Sequence, residues 1–253
     1  MYKGSTYIKD NLLNNENRVV SGEYVVIDSE EFYKIANYDN MPPFFMSIVS
    51  NSDHWMFISS NGGVTAGRKN PDNALFPYYT DDKIHDSSEI TGSKTILRIT
   101  FDKREYLWEP FSYRFYNAYK IERNIYKNIP GNKIIFEEVN HDLGISFSYS
   151  WLNSDRFGFV KKSKIVILNN NNNLEIDVLD GIQNILPYGV YQQFQNEYST
   201  LIDGYKKSEL LPKLGIGIFS LSSIPSDKAE PSESLKATTV WSCGLSVDKY
   251  LLS

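Results

Sequence analysis

Residues 94–101 read KTILRITF, and apolar and polar side chains alternate along this stretch. An alternation with a period of two places one set of side chains on each face of a β-strand. Other short segments share this strand character, being rich in β-branched and aromatic residues and bounded by Gly, Pro, Asn or Asp. They cover residues 18–28, 44–50, 54–59, 118–129, 133–139, 145–151, 164–168, 174–178, 214–221 and 237–245. The pattern predicts a mainly β protein with antiparallel sheets.

Two hairpins are predicted from their loops. Residues 44–50 and 54–59 flank a short Asn-Ser-Asp turn, and residues 164–168 and 174–178 flank five consecutive asparagines. Asn tolerates left-handed backbone and bonds to its own main chain, so it suits surface turns. We therefore expect each of these strand pairs to be adjacent in a sheet.

The spacing of apolar residues becomes helical after the last predicted hairpin. Residues 191–205 predict one helix, which Gly204 would help to end. Long loops are predicted for residues 68–92 and 222–234, which are rich in Pro, Asp, Asn or Ser. Repeats and interdomain linkers are absent from the sequence, so residues 1–253 predict a single β-sandwich domain with one or two short helices.

Composition argues against several classes of protein. The net charge of -5 and the pI of about 5.3 disfavour binding to nucleic acid, which usually requires a basic surface. No stretch approaches the ~18–20 apolar residues of a membrane span, and the N-terminus lacks the apolar region of a secretory signal. A single cysteine, Cys243, fits a reducing compartment. We expect a cytoplasmic protein that does not bind membranes, with Cys243 buried in apolar sequence.

Common catalytic and cofactor motifs are missing from the sequence. Neither GxxxxGK[ST] nor GxGxxG is present, so a nucleotide cofactor has no support, and the GxSxG elbow of serine hydrolases is also absent. His54, His85 and His141 do not have the spacing of metal ligands. We therefore predict no catalytic residue, no cofactor and no metal site.

Residues 53–92 combine aromatic and hydrogen-bonding side chains along one long segment. Such a combination can form a site for a polar ligand. The candidates for ligand binding or for contact with another domain are Arg68, Phe76, Tyr78, Tyr79, Asp82 and His85. The alternative interpretation is that the rings only anchor the loop to the sheet while the charges face water.

The same segment carries a resemblance. Residues 55–68 (WMFISSNGGVTAGR), 74–84 (ALFPYYTDDKI), 174–189 (LEIDVLDGIQNILPYG) and 229–245 (AEPSESLKATTVWSCGL) are similar to the N-terminal part of large bacterial proteins related to cellobiose phosphorylase. The resemblance implies a β-supersandwich of the galactose-mutarotase type that precedes an (α/α)6 barrel. In such glycoside phosphorylases and hydrolases the barrel holds the catalytic acid. The residues after 245 in this sequence are too few to encode a barrel.

The leading hypothesis is accordingly a non-catalytic N-terminal domain of a carbohydrate-active enzyme. Its partners would be the barrel of the same parent chain, an oligosaccharide and, through the aromatic loops, a second copy in a homodimer. A self-standing aldose epimerase is the second hypothesis, with His85 or His141 as one acid-base group and Glu89, Glu138 or Asp142 as the other. A carbohydrate-binding module without an attached enzyme is the third.

Overall fold

The structure is a computed structural model that describes residues 7–8, 11–12, 18–101, 103–115, 117–169, 174–223 and 236–244. Most elements in this part of the chain are β-strands. In chain order they are β1 (Tyr7–Ile8), β2 (Asn11–Leu12), β3 (Ser21–Ile27), β4 (Glu30–Ala36), β5 (Phe45–Ile48), β6 (His54–Ser59), β7 (Val64–Arg68), β8 (Ala74–Phe76), β9 (Gly92–Phe101), β10 (Arg104–Trp108), β11 (Ile121–Asn128), β12 (Lys133–Asn140), β13 (Ile145–Ser154), β14 (Gly158–Ile167), β15 (Glu175–Gln183), β16 (Lys206–Leu211), β17 (Ile216–Leu221) and β18 (Ala237–Trp241).

Helical segments are few and short. The α-helices are α1 (Asp81–Ile84), α2 (Gln192–Glu197) and α3 (Ser199–Tyr205), and 3-10 turns cover Tyr38–Asn40, Pro71–Asn73 and His85–Ser87. The expectation of a mainly β, antiparallel fold is therefore confirmed.

The strands form antiparallel sheets that pack in layers. A six-stranded sheet has the order β14-β13-β12-β11-β4-β3. Facing it are a four-stranded sheet, β5-β6-β7-β8, and a three-stranded sheet, β10-β9-β15. One hydrophobic core joins these three sheets, with Phe136, Phe147 and Trp151 from the first, Ile58 from the second and Leu97 from the third. This arrangement is a β-sandwich, because two layers enclose one apolar interior.

The four-stranded sheet is covered on its other face as well. A second hydrophobic cluster includes Ala74, Leu186, Ile202 and Leu221, and Trp55 packs against it. These residues connect the sheet to α3 and to a C-terminal sheet of order β16-β17-β18. Because both faces are buried, β6 reads as an almost continuous apolar run (HWMFIS) instead of an alternating one.

The structure corrects several local predictions. The hairpin of residues 44–59 is confirmed, since β5 pairs with β6. The second hairpin is wrong, because β15 leaves β14 and pairs with β9 over its whole length. The predicted helix is interrupted at Tyr198, where φ of -132° ends α2. Cys243 is exposed, not buried.

The long loops also differ from the prediction. Residues 68–92 are not structureless, because they contain β8, α1 and two 3-10 turns. Most of the predicted loop of residues 222–234 and the asparagines after 169 lie outside the described residues.

Candidate functional site

The predicted aromatic residues anchor the long segment to the sandwich. Phe76 is fully buried, and its ring meets the ring of Trp151 edge-on at 5.8 Å between centroids. The Tyr78 ring lies against Trp55, at 6.0 Å between centroids. The Tyr79 hydroxyl is 3.3 Å from Thr91 Oγ1. These contacts attach the inner side of the segment to the sandwich, and each ring has a different partner.

The predicted polar residues also have separate partners. Arg68 Nε donates to Asp53 Oδ1 at 2.9 Å on an exposed surface. Asp82 Oδ1 accepts from Thr80 Oγ1 at 2.5 Å. His85 Nδ1 is 2.6 Å from Ser59 Oγ, and the His85 carbonyl accepts from Asn61 Nδ2 at 2.7 Å. The six candidates are thus spread over the segment instead of being gathered around one ligand position.

The acid-base residues considered for an epimerase are engaged in different places. The His141 imidazole is 3.7 Å from Glu122 at the surface, and Asp142 Oδ2 accepts from the Lys120 amide at 2.7 Å. Glu138 is buried in the sandwich, and Glu89 lies at the end of the segment that His85 belongs to.

A small polar cleft lies where this segment meets the sandwich. Its volume is about 20 Å³, which gives room for about one ordered water. Its walls are the β6–β7 turn with Asn61 and Gly62, the turn with Ser88 and Glu89, residues 93–95 of β9 and residues 110–112 after β10, and Tyr149 of β13 also lines it. Five separate elements therefore meet at one point.

Charged side chains at the cleft form an ion-pair cluster. Lys94 Nζ contacts Glu109 Oε1 and donates to Glu89 Oε2 at 2.9 Å. Burial alone would raise the pKa of Glu89, but hydrogen bonds from Lys94, the Tyr113 amide and Ser112 outweigh it and lower that pKa. Burial alone would lower the pKa of Lys94, but hydrogen bonds to Glu109 and Glu89 raise it. Glu89 and Lys94 are therefore both charged at neutral pH.

A buried ion pair fixes the wall formed by residues 110–112. Arg123 and Glu138 are opposite each other on β11 and β12, and Arg123 Nε donates to Glu138 Oε2 at 2.7 Å. The Phe111 amide donates to the same oxygen at 2.7 Å, and Trp108 Nε1 donates to Oε1 at 2.8 Å. Burial opposes the charge of Arg123, but Glu138 outweighs it, so the pKa of Arg123 is raised. Phe111 is held in left-handed backbone, with φ of 66°.

Glycines allow the β6–β7 turn to approach its neighbours closely. A Cβ on Gly63 would lie 2.0 Å from the Ile84 carbonyl oxygen. This oxygen belongs to the backbone, so it cannot move aside as the end of a flexible side chain could. Gly62 has φ of +94°, and a Cβ there would lie 3.1 Å from the Tyr149 hydroxyl. The turn can therefore border the cleft only with glycine at these positions.

Sequence reasoning missed most of the cleft residues. Tyr149 could have been found, because it occupies the same phase as buried Trp151 in a strand whose sequence alternates. A polar residue in the apolar phase of a strand is a sign of a buried partner. Lys94 and Glu109 carry no such signal, since their contact depends on how the strands are arranged.

Comparisons with known proteins give no family: no family model matches the chain, and no curated protein matches it. Among the described residues, no helix is long and apolar enough to cross a membrane. A search over the same part of the chain gives no group of three or more His, Cys, Asp or Glu side chains that could hold a metal ion.

Proposed function

We propose that the chain is a non-catalytic β-sandwich module, of the galactose-mutarotase-like type, that belongs to a carbohydrate-active enzyme. It supports a catalytic (α/α)6 barrel of the same parent chain, which is a glycoside phosphorylase or hydrolase, and it borders the sugar site. A cytoplasmic location and a homodimer are part of the same proposal. The basis for this proposal is the resemblance of residues 55–84 together with the way in which that segment is folded.

One observation carries the proposal: residues 77–91 form a segment that is anchored on its inner side and that presents several polar groups, together with the apolar Ile90, on its outer side. Its inner side carries the buried side chains of Ile84 and Ser87, and Phe76, which directly precedes it, is buried in the core. Thr80, Lys83 and Asp86 are exposed on the outside. A rigid loop with outward polar groups is suited to shaping a neighbouring site.

The isolated chain provides the first test. We expect no turnover of gluco-oligosaccharides or anomeric sugars, and at most weak sugar binding. Isothermal titration with glucose, cellobiose and longer gluco-oligosaccharides measures the binding. An affinity tighter than about micromolar, equivalent to about -8 kcal/mol, would contradict a supporting role.

The epimerase alternative is separated by a polarimetric assay of sugar anomerisation. Turnover by the chain alone that is lost in His85→Ala or His141→Ala would favour it over the supporting role. The gene downstream of residue 253 gives an independent test. Continuation into a helical-repeat region supports the proposal, whereas a stop codon at that point contradicts the predicted barrel.

A further inference from the structure

The cleft is lined by a tyrosine whose hydroxyl makes no hydrogen bond to another described residue. Tyr149 is only 4% exposed and lines the cleft. Within the part of the chain that the structure describes, its hydroxyl has no hydrogen-bond partner. The hydroxyl is not closed off from solvent, because it is reached through the cleft, so this group is available for a ligand or a water. Burial raises the pKa of Tyr149, although Arg123 partly opposes this, and the hydroxyl therefore stays a neutral donor.

Charges around the cleft are balanced. Glu89 and Glu109 are matched by Lys94, and Arg114 Nη1 lies 3.8 Å from Glu109 Oε2. Because the positive and negative groups neutralise each other, neither an anion nor a cation gains net attraction. A neutral group that both accepts and donates hydrogen bonds suits this environment better.

The size of the cleft limits what can enter it. A volume of about 20 Å³ accepts one hydroxyl group or water but not a sugar ring. Gly62 keeps the cleft open, because any side chain at this position would approach the Tyr149 hydroxyl. A larger ligand must therefore remain outside and insert only one small polar group.

We propose that the cleft binds a single hydroxyl or hydroxymethyl group of a neutral saccharide. The Tyr149 hydroxyl donates a hydrogen bond to the inserted oxygen. The inserted hydroxyl in turn donates a hydrogen bond to a carboxylate oxygen of Glu89. The inference rests on the proposed function, which supplies the class of ligand. The Tyr149 hydroxyl, which binds the ligand in this proposal, therefore belongs to strand β13 of the sandwich.

The test is a titration of the whole chain with glucose and with cellobiose, followed by ¹H–¹⁵N NMR. We expect the amide signals of Gly62, Ser88 and Ser112 to shift together. Tyr149→Phe removes only the hydroxyl and should raise the dissociation constant about tenfold, which corresponds to about 1.4 kcal/mol. Tyr38→Phe is the matched control, because Tyr38 is 5% exposed but does not line the cleft. This control should change the constant less than twofold.

Three results would overturn the inference. One is equal affinity in the unmodified chain and in Tyr149→Phe, and another is a set of shifts confined to residues outside the cleft. The third is the absence of any shift at the highest soluble sugar concentration, which would mean that only water enters. None of these results involves turnover or the downstream gene, so the inference can fail while the proposed function stands.

Discussion

Replacing Glu138 by Gln tests whether the buried ion pair stabilises the sandwich and the wall of the cleft. The Glu138 carboxylate accepts from Arg123 Nε at 2.7 Å, the Phe111 amide at 2.7 Å and Trp108 Nε1 at 2.8 Å. All three partners are donors, whereas a glutamine side chain has one acceptor oxygen and turns an NH₂ group towards donors. Arg123 cannot lose its charge in compensation, because the pKa of an arginine is too high.

The expected loss is large because both partners are shielded from water. The side chains of Arg123 and Glu138 are 5% and 2% exposed, so solvent screening is slight. Removing one partner of such a pair costs about 3–5 kcal/mol in the free energy of unfolding. Equilibrium urea denaturation, followed by tryptophan fluorescence, measures this difference.

Two further variants make the measurement specific. Glu105→Gln changes an exposed acid and should alter the free energy of unfolding by less than about 0.5 kcal/mol. The double variant Arg123→Met/Glu138→Met should be more stable than Glu138→Met alone, because it leaves no buried charge unpaired. A loss below about 1 kcal/mol in Glu138→Gln would refute the argument that Glu138 compensates a buried arginine charge in a dry interior.

Gly63→Ala should lower the free energy of unfolding by about 1–3 kcal/mol through its clash with a backbone carbonyl. At Gly204 a Cβ would meet open space, so Gly204→Ala should raise the free energy of unfolding by up to about 1 kcal/mol. Equal changes for the two variants in urea denaturation would contradict the close packing at Gly63. Phe76→Ala should cost about 3–5 kcal/mol, and a loss near zero would mean that the ring is not a core anchor. The lowered pKa of Glu89 and the raised pKa of Lys94 make their pairing complete between the ordinary values of 4.5 and 10.5. Its contribution is lost as the pH falls through the lowered value or rises through the raised one. The destabilisation by Lys94→Met should therefore shrink at both extremes, and a difference that is constant down to about pH 3 would contradict this.

The sequence predicts which segments are strands more securely than which strands are neighbours. The period-two pattern identifies β9, β12 and β13, because burial on one face selects apolar residues at alternate positions. It does not specify a partner. β15 has the composition and loop expected for a hairpin with β14, yet it pairs with β9 over residues 92–100. That pairing depends on the packing of the whole sandwich.

At the candidate site, too, the sequence indicates the segment involved but not the contacts that it makes. The aromatic content of the long segment drew attention to residues 53–92, and four of the residues that line the cleft come from it. They are Asn61, Gly62, Ser88 and Glu89, whereas the predicted Phe76 is part of the core. Sequence shows that a ring or an acid is present, but burial depends on strand order. The association of Glu89 with β9 and with the loop after β10 could not be predicted from the spacing of residues.

The double coverage of the four-stranded sheet has a consequence for biosynthesis. The face that carries Trp55 and Tyr78 is closed by residues that emerge late, and the Gln195 side chain that binds the Tyr78 amide follows it by 117 positions. At about 5–20 residues per second, the ribosome needs about 6–23 s to supply that cover. During this interval a nascent chain presents an aromatic sheet face to the cell, and chaperone binding should be concentrated there.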